Sequence, residues 1–349
     1  MQLTTIGIDL AKNVFQIHGV DQQGKAVLKK QLKREQMAVF FANTPPCLIG
    51  MEACSGAHHW ARKLTSFGHT VKLVAPQFVK PYVKTNKNDA ADAEAICEAV
   101  ARPNMRFVAV KNVEQQAVLS LHRVRQGFVQ ARTAQANQIR GLLAEFGLVL
   151  PQGLTHIKTC VPELIEDASL ALPGSFRLLM QRLLDHLSEL SRQVTQLEGL
   201  IKAWHQNNAL SRKLQAVPGI GPITASALVA SVGDAKSFDS GRQLAAWLGL
   251  VPRQHSSGGK CVLLGISKRG DCYLRTLLIH GARSMVRVTQ NRAKIGKPPH
   301  DHADWLNKLL ARRNPNVAAV ALANKNARIA WALLSQDRPY QSGYAMAAA

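Results

Sequence analysis

The sequence has none of the features that mark a membrane, secreted or zinc-binding protein. It contains no run of about 18 apolar residues, so no membrane span is expected. Its first residues lack the basic region and the apolar core of a signal peptide. None of its six cysteines forms a C-x-x-C pair, which argues against a zinc site or a disulfide framework. We therefore expect a cytoplasmic protein with reduced thiols and without a membrane partner.

Acidic residues are also scarce. The 349 residues include 22 Asp and Glu against 44 Lys and Arg, which gives a formal net charge of +22. Such an excess of one sign opposes compaction unless a polyanion neutralises it. Nucleic acid is the obvious polyanion, because phosphate contacts supply most of its nonspecific affinity for proteins. The charge is spread along the chain rather than confined to a tail, so a basic protein that is merely soluble is the less favoured alternative.

Residues 1–112 have the pattern of an α/β domain. Three strand-like segments come first in hairpin order, and strands then alternate with helices, which is the order of an RNase H-like (RuvC-like) sheet. Two helices are predicted, at residues 34–41 and 59–67. Five strands are predicted, at residues 4–10, 14–20, 26–32, 47–52 and 71–75.

Residues 113–208 are predicted to form a helical spacer. Its first helix is basic, and four of its arginines are candidate nucleic-acid contacts: Arg123, Arg125, Arg132 and Arg140. Further along, residues 176–204 have apolar side chains spaced alternately by four and three. This heptad pattern predicts a coiled coil, and with it a homodimer. The alternative is an amphipathic helix that packs on its own domain.

The rest of the chain, residues 209–338, is predicted to be a second and mostly helical module. The Ala-rich residues 339–349 are expected to be a disordered tail. The predicted fold class is therefore α/β plus α, with a helical coiled-coil spacer between the two domains.

Four carboxylates lie at positions that suggest a specific role for their charge. Asp9 lies within the first apolar strand, and Glu52 ends the fourth. A buried charge is costly unless it is paired or binds a metal. Asp89 and Asp92 follow, three residues apart on one face of a predicted helix. Hard oxygen ligands suit Mg²⁺, and such a set can hold two ions that clamp the attacking and leaving oxygens of a phosphodiester.

Two of these acids also have an ordinary interpretation. Asp89 is a candidate N-cap of the helix, and Asp92 a solvated helix residue. Asp9 is harder to explain in this way, because it lies in a buried strand. The four acids in this order are stronger evidence for a metal site than any one of them alone. We therefore take all four as candidate catalytic residues and metal ligands.

The segment Leu214–Ala225 has the signature of a helix-hairpin-helix. Its turn contains Pro218, Gly219 and Gly221, and the glycines allow the backbone to approach a phosphate closely. The N–H groups of the second helix would point at that phosphate. Such a motif contacts the DNA backbone without reading its sequence. The alternative is a plain connection between two helices.

Residues Val251 to Lys260 are predicted to form a loop rich in Ser and Gly. Ser256 or Ser257 is a candidate nucleophile, activated by nearby cations or a metal, and spacing alone does not choose between them. The alternative is a flexible phosphate-binding loop whose serines only donate hydrogen bonds. Nearby cations are candidate phosphate contacts: Arg253, Lys260, Lys268, Arg269 and Arg275.

Together these motifs resemble the insertion-sequence transposases of the one-ten family, most closely its eleven-eleven subgroup. Gly-Ile-Asp-Leu-Ala-Lys, Met-Glu-Ala-Cys-Ser-Gly and Lys-Asn-Asp-Ala-Ala-Asp are similar to the RuvC-like motifs of that family. They place its D-E-D-D tetrad at Asp9, Glu52, Asp89 and Asp92. Val-Pro-Gly-Ile-Gly, Gly-Leu-Val-Pro-Arg and Ser-Ser-Gly-Gly-Lys are similar to its C-terminal serine transposase domain. The family's serine precedes a glycine, which matches Ser257.

The resemblance covers residues 4–335 and implies a bacterial, nucleoid-associated recombinase. It implies that a structured noncoding RNA, the bridge RNA, guides the enzyme by pairing with donor and target DNA. The serine would attack a phosphodiester and form a covalent phosphoserine link, with Mg²⁺ at the acids. Homodimers would assemble into a homotetramer, in which the acids of one subunit meet the serine of another.

Two other functions fit the same residues. A hydrolytic nuclease, such as a Holliday-junction resolvase, would use the four acids and water. A non-catalytic architectural protein would bind DNA through the hairpin and the basic helices.

Overall fold

The structure is a computed structural model that describes residues 2–84, 88–296, 304–336 and 338–341. The chain divides into two compact units. The first contains the residues up to 115 together with 232–237, and the second contains the rest of the described chain. Within these ranges, no helix is both long enough and apolar enough to cross a membrane. Most of the tail predicted from residue 339 lies outside the described residues.

The first unit is built on a six-stranded mixed sheet. Its strands are β1 Leu3–Leu10, β2 Val14–Asp21, β3 Ala26–Lys33, β4 Leu48–Glu52, β5 Thr70–Val74 and β6 Phe107–Val108. In space the order is β3-β2-β1-β4-β5-β6, with β1 antiparallel to β2 and parallel to β4. The mixed α/β character predicted for this part of the chain is confirmed, and the short β6 is an addition to the prediction.

Helices cover both faces of this sheet. They are α1 Gln36–Ala42, α2 Ala57–Ser66, α3 Pro76–Val79 and α4 Asp89–Val100. Residues of α1 and α2 share one core with alternate residues of β1 and β2, among them Ile6, Ile8 and Phe15. Because successive side chains of a strand point to opposite faces, Gly7 and Asp9 of β1 face the other side, where α4 lies.

Two glycines allow α4 to lie directly on the sheet. A Cβ atom on Gly7 would collide with the backbone of Ala93 and Cys97, and one on Gly50 would collide with the side chain of Val100. Glycine in a strand is typical of such a close approach. The close packing holds the start of α4 at the end of β1, where Asp9 lies.

The second unit is mostly helical, as predicted. Its helices are α5 Val113–Ala144, α6 Leu154–Glu166, α7 Gly174–Asn207, α8 Ala209–Gln215, α9 Pro222–Val232, α10 Gly241–Trp247, α11 Cys272–Lys294, α12 Asp304–Leu310 and α13 Pro315–Ser335. Between α10 and α11 the chain forms two strands, β7 Pro252–Ser257 and β8 Lys260–Ile266.

The apolar seam predicted at residues 176–204 lies on α7 and is covered within its own chain. The first half of the seam shares a core with residues of α5 and α6. The helices α5 and α7 run antiparallel, since Arg125 pairs with Glu198 while Gln135 is hydrogen-bonded to His186. The structure therefore matches the alternative, an amphipathic helix packed on its own domain. Six of the nine seam side chains are buried within one chain, and Leu183, Leu197 and Trp204 are half-buried there. A homodimer through this seam stays a prediction.

The serine-rich segment is a β-hairpin, which corrects the expectation of a loop. Gly258 and Gly259 form its two-residue turn, with φ of +54° and +79°. Two consecutive residues with positive φ are typical of the type I′ turn that joins twisted antiparallel strands. All residues of β7 are exposed, so the hairpin presents both of its faces.

Candidate active site and nucleic-acid contacts

Three of the four predicted acids meet at one end of the sheet of the first unit. Carboxylate oxygens of Asp9, Asp89 and Asp92 lie within 4.8 Å of one another. Asp9 is near the end of β1, and the other two acids stand in the first turn of α4. The cluster thus joins a strand end to a helix N-terminus, where the partial positive charge of the helix favours carboxylates.

Asn88 is the residue that caps α4. Its side chain accepts a hydrogen bond from the backbone N–H of Ala91 at 2.8 Å. Asn is among the best N-cap residues, since its short side chain satisfies an N–H group of the first turn. The interpretation of Asp89 as the N-cap is therefore wrong, and its carboxylate belongs to the acid cluster instead.

Glu52 lies beside this cluster on the neighbouring strand. The parallel pairing of Ile8 with Met51 places Glu52 next to Asp9. Burial, followed by the charges of the three other acids, raises the pKa of Asp9 to about 6. Like charges at short range disfavour ionisation, and a divalent cation relieves that repulsion.

The donor set fits a hard divalent cation. The clustered groups are all carboxylates, and oxygen is the ligand that Mg²⁺ prefers. The electrostatics also fit, because burial, followed by the charges of the neighbouring acids, raises the pKa of Asp9. Asp9, Asp89 and Asp92 are therefore the residues best placed to hold a metal, with Glu52 at its side.

One polar residue next to the cluster, Gln16, belongs to none of the sequence motifs. Gln16 of β2 pairs with Asp9 of β1, so both side chains lie on the same face of the sheet. The alternation of β2 in the sequence indicates the face on which Gln16 lies, because the neighbouring Phe15 and Ile17 are buried on the opposite face.

The two candidate serines differ in their surroundings. Ser256 and Ser257 are successive residues of β7 and so point to opposite faces of the hairpin. The hydroxyl of Ser256 accepts a hydrogen bond from Nε2 of Gln254 at 2.9 Å. Ser257 pairs with Lys260 on the opposite strand, and its side-chain hydroxyl has no hydrogen-bond partner among the described residues. The geometry separates two serines that spacing alone does not.

Comparison with known proteins places both units in one family. The profile of a DEDD transposase domain of IS110 type matches residues 6–147, and the profile described as the IS116/IS110/IS902 transposase family matches residues 211–295. A probable family 20 transposase of Pseudomonas aeruginosa is 55% identical over 344 residues, which is 98% of this chain and 100% of that protein. The chain belongs to the IS110 family of transposases.

Two further relatives bear on this family of transposases. The transposase for insertion sequence element IS1111A of Coxiella burnetii is 44% identical, over 97% of this chain and 91% of the relative. A pilin gene-inverting protein of Moraxella lacunata is 26% identical, over 74% of this chain and 75% of the relative. The family assignment makes this protein a DNA transposition enzyme and fits a divalent metal at its acid cluster.

In this transposase, the predicted hairpin turn is packed against the second unit's own helices. Gly219 has φ of +91°, and a Cβ atom there would press on the carbonyl of Gly281 in α11. The carbonyl of Pro218 accepts a hydrogen bond from Asn326 at 2.9 Å. The close approach that Gly219 allows is therefore to a helix, which corrects its assignment to a phosphate. Gly221 is exposed, with open space around it.

Arg275 of the transposase is a structural residue. It is only 8% exposed, and its Nη1 donates to the carbonyls of Leu248 and Arg269, both at 3.1 Å. The guanidinium thus satisfies the end of α10 and fixes the segment before α11. The prediction that Arg275 contacts phosphate is wrong, because its side chain is buried and both of these bonds are internal.

Two of the four predicted arginines of α5 are also engaged within the transposase. Arg125 forms an ion pair with Glu198 at 2.5 Å, and Arg140 donates to the carbonyl of Gly153 at 2.7 Å. Arg132 is half-buried, its Nε has no hydrogen-bond partner among the described residues, and its role as a nucleic-acid contact stays a prediction. Arg123 is exposed, so it stays a predicted nucleic-acid contact. The exposed cations near the β7–β8 hairpin stay predicted contacts as well: Arg253, Lys260, Lys268 and Arg269.

Proposed function

We propose that this transposase catalyses RNA-guided cleavage and exchange of DNA strands at the ends of its insertion sequence. The observation that carries the proposal is the convergence of Asp9, Asp89 and Asp92, from a strand end and a helix start, within 4.8 Å. The same acids, in the same order, form the D-E-D-D set that the sequence motifs share with the family. The net charge of +22 supports a polyanionic substrate.

The acids of the RuvC-like unit hold Mg²⁺ in this proposal, with Glu52 completing the set. When bound, such a metal stabilises negative charge on the oxygens of the scissile phosphodiester. The residues themselves supply ionised carboxylates at fixed positions. The close packing of α4 on Gly7 and Gly50 keeps the acids of α4 in place over β1.

Ser257 is the proposed nucleophile. Its oxygen bonds to phosphorus as its proton is lost, and the displaced sugar oxygen leaves and takes up a proton. Two observations favour Ser257 over Ser256: its position opposite Lys260, and the hydrogen bond that already engages Ser256. A nearby ammonium stabilises both the alkoxide and the phosphate that it attacks.

The guide and the assembly follow from the resemblance of the motifs. A bridge RNA encoded beside the gene would pair with donor and target DNA, and dimers would form a homotetramer. Purification from cells that contain the neighbouring noncoding DNA, followed by sequencing of copurified RNA, tests the guide. Recovery of one discrete structured transcript is the expected result, and recovery of unrelated cellular RNA alone would contradict it.

The nucleophile has its own test. Wild-type protein incubated with Mg²⁺, RNA transcribed from the flanking noncoding DNA and DNA that carries an end of the element should form a covalent adduct, detected by denaturing electrophoresis and located by mass spectrometry. Ser257→Ala should abolish the adduct, while the matched Ser256→Ala should retain it. An adduct that survives Ser257→Ala would refute this assignment.

A metal-dependent nuclease is the second candidate, because the whole acid cluster lies within the first unit. Such an enzyme would hydrolyse DNA with water. Its signature would be cleavage that survives Ser257→Ala and is lost in Asp9→Asn. A purely architectural protein would bind DNA equally well with either substitution and would cleave it with neither.

A further inference from the structure

The face of the sheet that carries Asp9 continues as a polar strip across β2 and β3. Asp9 pairs with Gln16, and Gln16 pairs with Gln31. Lys29 lies two residues before Gln31 and Lys33 two residues after it, so the three side chains share one face of β3. Neighbouring strands are about 4.8 Å apart, which puts Gln16 about 5 Å and Gln31 about 10 Å from Asp9 along this row.

The strip is open to solvent. Lys29, Gln31 and Lys33 are exposed, and Gln16 is half-buried beside the acid. β3 is the edge strand of the sheet, so no further strand from the described residues flanks the strip on that side. The opposite face of the same strand is different, because Leu32 is buried there in the core that also contains residues of α1 and α2.

The charges of the strip are not neutralised by the described part of the chain. Neither Lys29 nor Lys33 forms an ion pair there, whereas Lys84 beside α4 is held by two glutamates. The side-chain amide of Gln16 likewise has no hydrogen-bond partner among the described residues. Two lysines and two glutamines therefore stand available to a ligand.

The position of these lysines answers an electrostatic problem. A phosphate backbone must come close to several carboxylates in order to be cut beside them, and those carboxylates repel it. The backbones of Lys29 and Lys33 are about 12 Å from Asp9, from the strand spacing and the rise per residue. A strand seated on the strip itself lies within the screening length of about 8 Å of their ammonium groups. Unpaired lysines next to the acids offset the repulsion and guide the backbone inward.

We propose that the strip formed by Gln16, Lys29, Gln31 and Lys33 is a seat for the backbone of the DNA strand that is cut at the acid cluster. Gln16 donates to the phosphate next to the scissile one, and the lysines contact the phosphates that follow. Contacts of this type set the position of a strand without reading its sequence. The inference rests on the proposed function, because it takes the acid cluster to be the place of cleavage.

Site-specific crosslinking tests which polymer occupies the strip. A photo-crosslinking amino acid replaces Gln31 in the full chain, and in a matched variant it replaces Lys30, which points to the opposite face and lies over the Phe40 ring at 5.1 Å. Each protein is irradiated with DNA that carries an end of the element and with RNA transcribed from the flanking DNA. Crosslinks to DNA from position 31 but not from position 30 are expected. Crosslinks to RNA alone, equal crosslinks from both positions, or none from position 31 would overturn the proposal.

Salt dependence gives a second, quantitative test. The double variant Lys29→Gln with Lys33→Gln removes two phosphate contacts, which lowers the slope of log K against log salt by about 1.4 for a single strand. Binding at physiological salt then weakens by roughly tenfold. The matched Lys30→Gln should leave the slope unchanged, and an equal change in both proteins would count against the strip.

The same measurements in the Asp9→Asn protein separate the two proposals. If both are right, cleavage is lost while the crosslink from position 31 persists. If cleavage survives Asp9→Asn, the proposed function fails, and the crosslink still reports on the strip. If cleavage is lost in Asp9→Asn but the DNA crosslink from position 31 is absent in every protein, the strip fails and the proposed function stands.

Discussion

Replacement of Asp9 with Asn should make the metal-free protein more stable above about pH 6, although it destroys the proposed site. Burial and the neighbouring acids raise the pKa of Asp9 from 3.8 to about 6 in the folded protein. The folded state therefore favours the protonated carboxyl. That stabilisation is complete below pH 3.8 and is lost as the pH rises through about 6. An Asn side chain stays neutral at every pH and avoids the loss.

The size of the effect follows from the shift in pKa. A difference of about two units corresponds to about 3 kcal/mol, at about 1.4 kcal/mol per unit. Asp9 is half-buried, so screening by solvent reduces the expected gain to about 1–2 kcal/mol. For a unit of this size, that gain raises the melting temperature by about 4–8 °C.

Differential scanning calorimetry at pH 8 and pH 4, in EDTA and in Mg²⁺, measures the effect. In EDTA at pH 8 the Asp9→Asn protein should melt higher than wild type, and at pH 4 the two should melt together. Mg²⁺ should stabilise wild type at pH 8 and have little effect on the variant. Glu35→Gln, which changes an exposed acid without a capping bond, is the matched control and should change nothing. A destabilised Asp9→Asn protein in EDTA, or equal stabilisation of both proteins by Mg²⁺, would refute the reasoning.

Three further predictions concern the second unit. Arg275→Ala removes the donor from the carbonyls of Leu248 and Arg269 and should cost about 2–4 kcal/mol in urea denaturation, whereas the exposed Arg123→Ala should cost under about 0.5 kcal/mol. Gly281→Ala should cost about 1–3 kcal/mol because its Cβ meets the Gly219 carbonyl, while Gly199→Ala, with open space on α7, should be neutral or stabilising. Burial, followed by the charge of Arg125, lowers the pKa of His122 from 6.5 to about 4, so the neutral ring that bridges Ser226 and Tyr273 stabilises the fold above pH 6.5. Circular dichroism should show stability that falls as the pH drops from 6.5 toward 4, and His122→Gln should flatten that dependence.

The acid cluster could be predicted because its signals are local. An acid inside an apolar strand, and two acids one turn apart at a helix start, each point to an unusual environment before any contact is known. The alternation of β1 and β2 similarly determines which residues face the core. Strand order and register then bring the acids together, and these follow from the RNase H-like order of the elements.

The predictions that the structure corrects concern residues whose contacts depend on tertiary packing. Arg275 looked like a phosphate contact because it lies near other cations, and only the fold shows that it is buried beneath the end of α10. The heptad pattern of α7 predicts an apolar face correctly, but a pattern of that kind does not say whether another subunit or α5 covers it. Gly219 was assigned to phosphate for the same reason, since a glycine allows close approach without specifying to what.

The serine segment is a different case, because the sequence held a usable signal. Two consecutive glycines between two segments of similar length are typical of a tight hairpin turn. With that turn recognised, the alternation of β7 would have placed Ser256 and Ser257 on opposite faces.

Anomalous diffraction shows directly whether the acid cluster binds a divalent metal. Crystals of the protein are soaked in Mn²⁺ and measured at the manganese absorption edge. We expect an anomalous peak bound by carboxylate oxygens of Asp9, Asp89 and Asp92, and no peak there in Asp9→Asn crystals. Manganese bound elsewhere, with those three carboxylates free of metal in the wild-type protein, would contradict the proposed metal site.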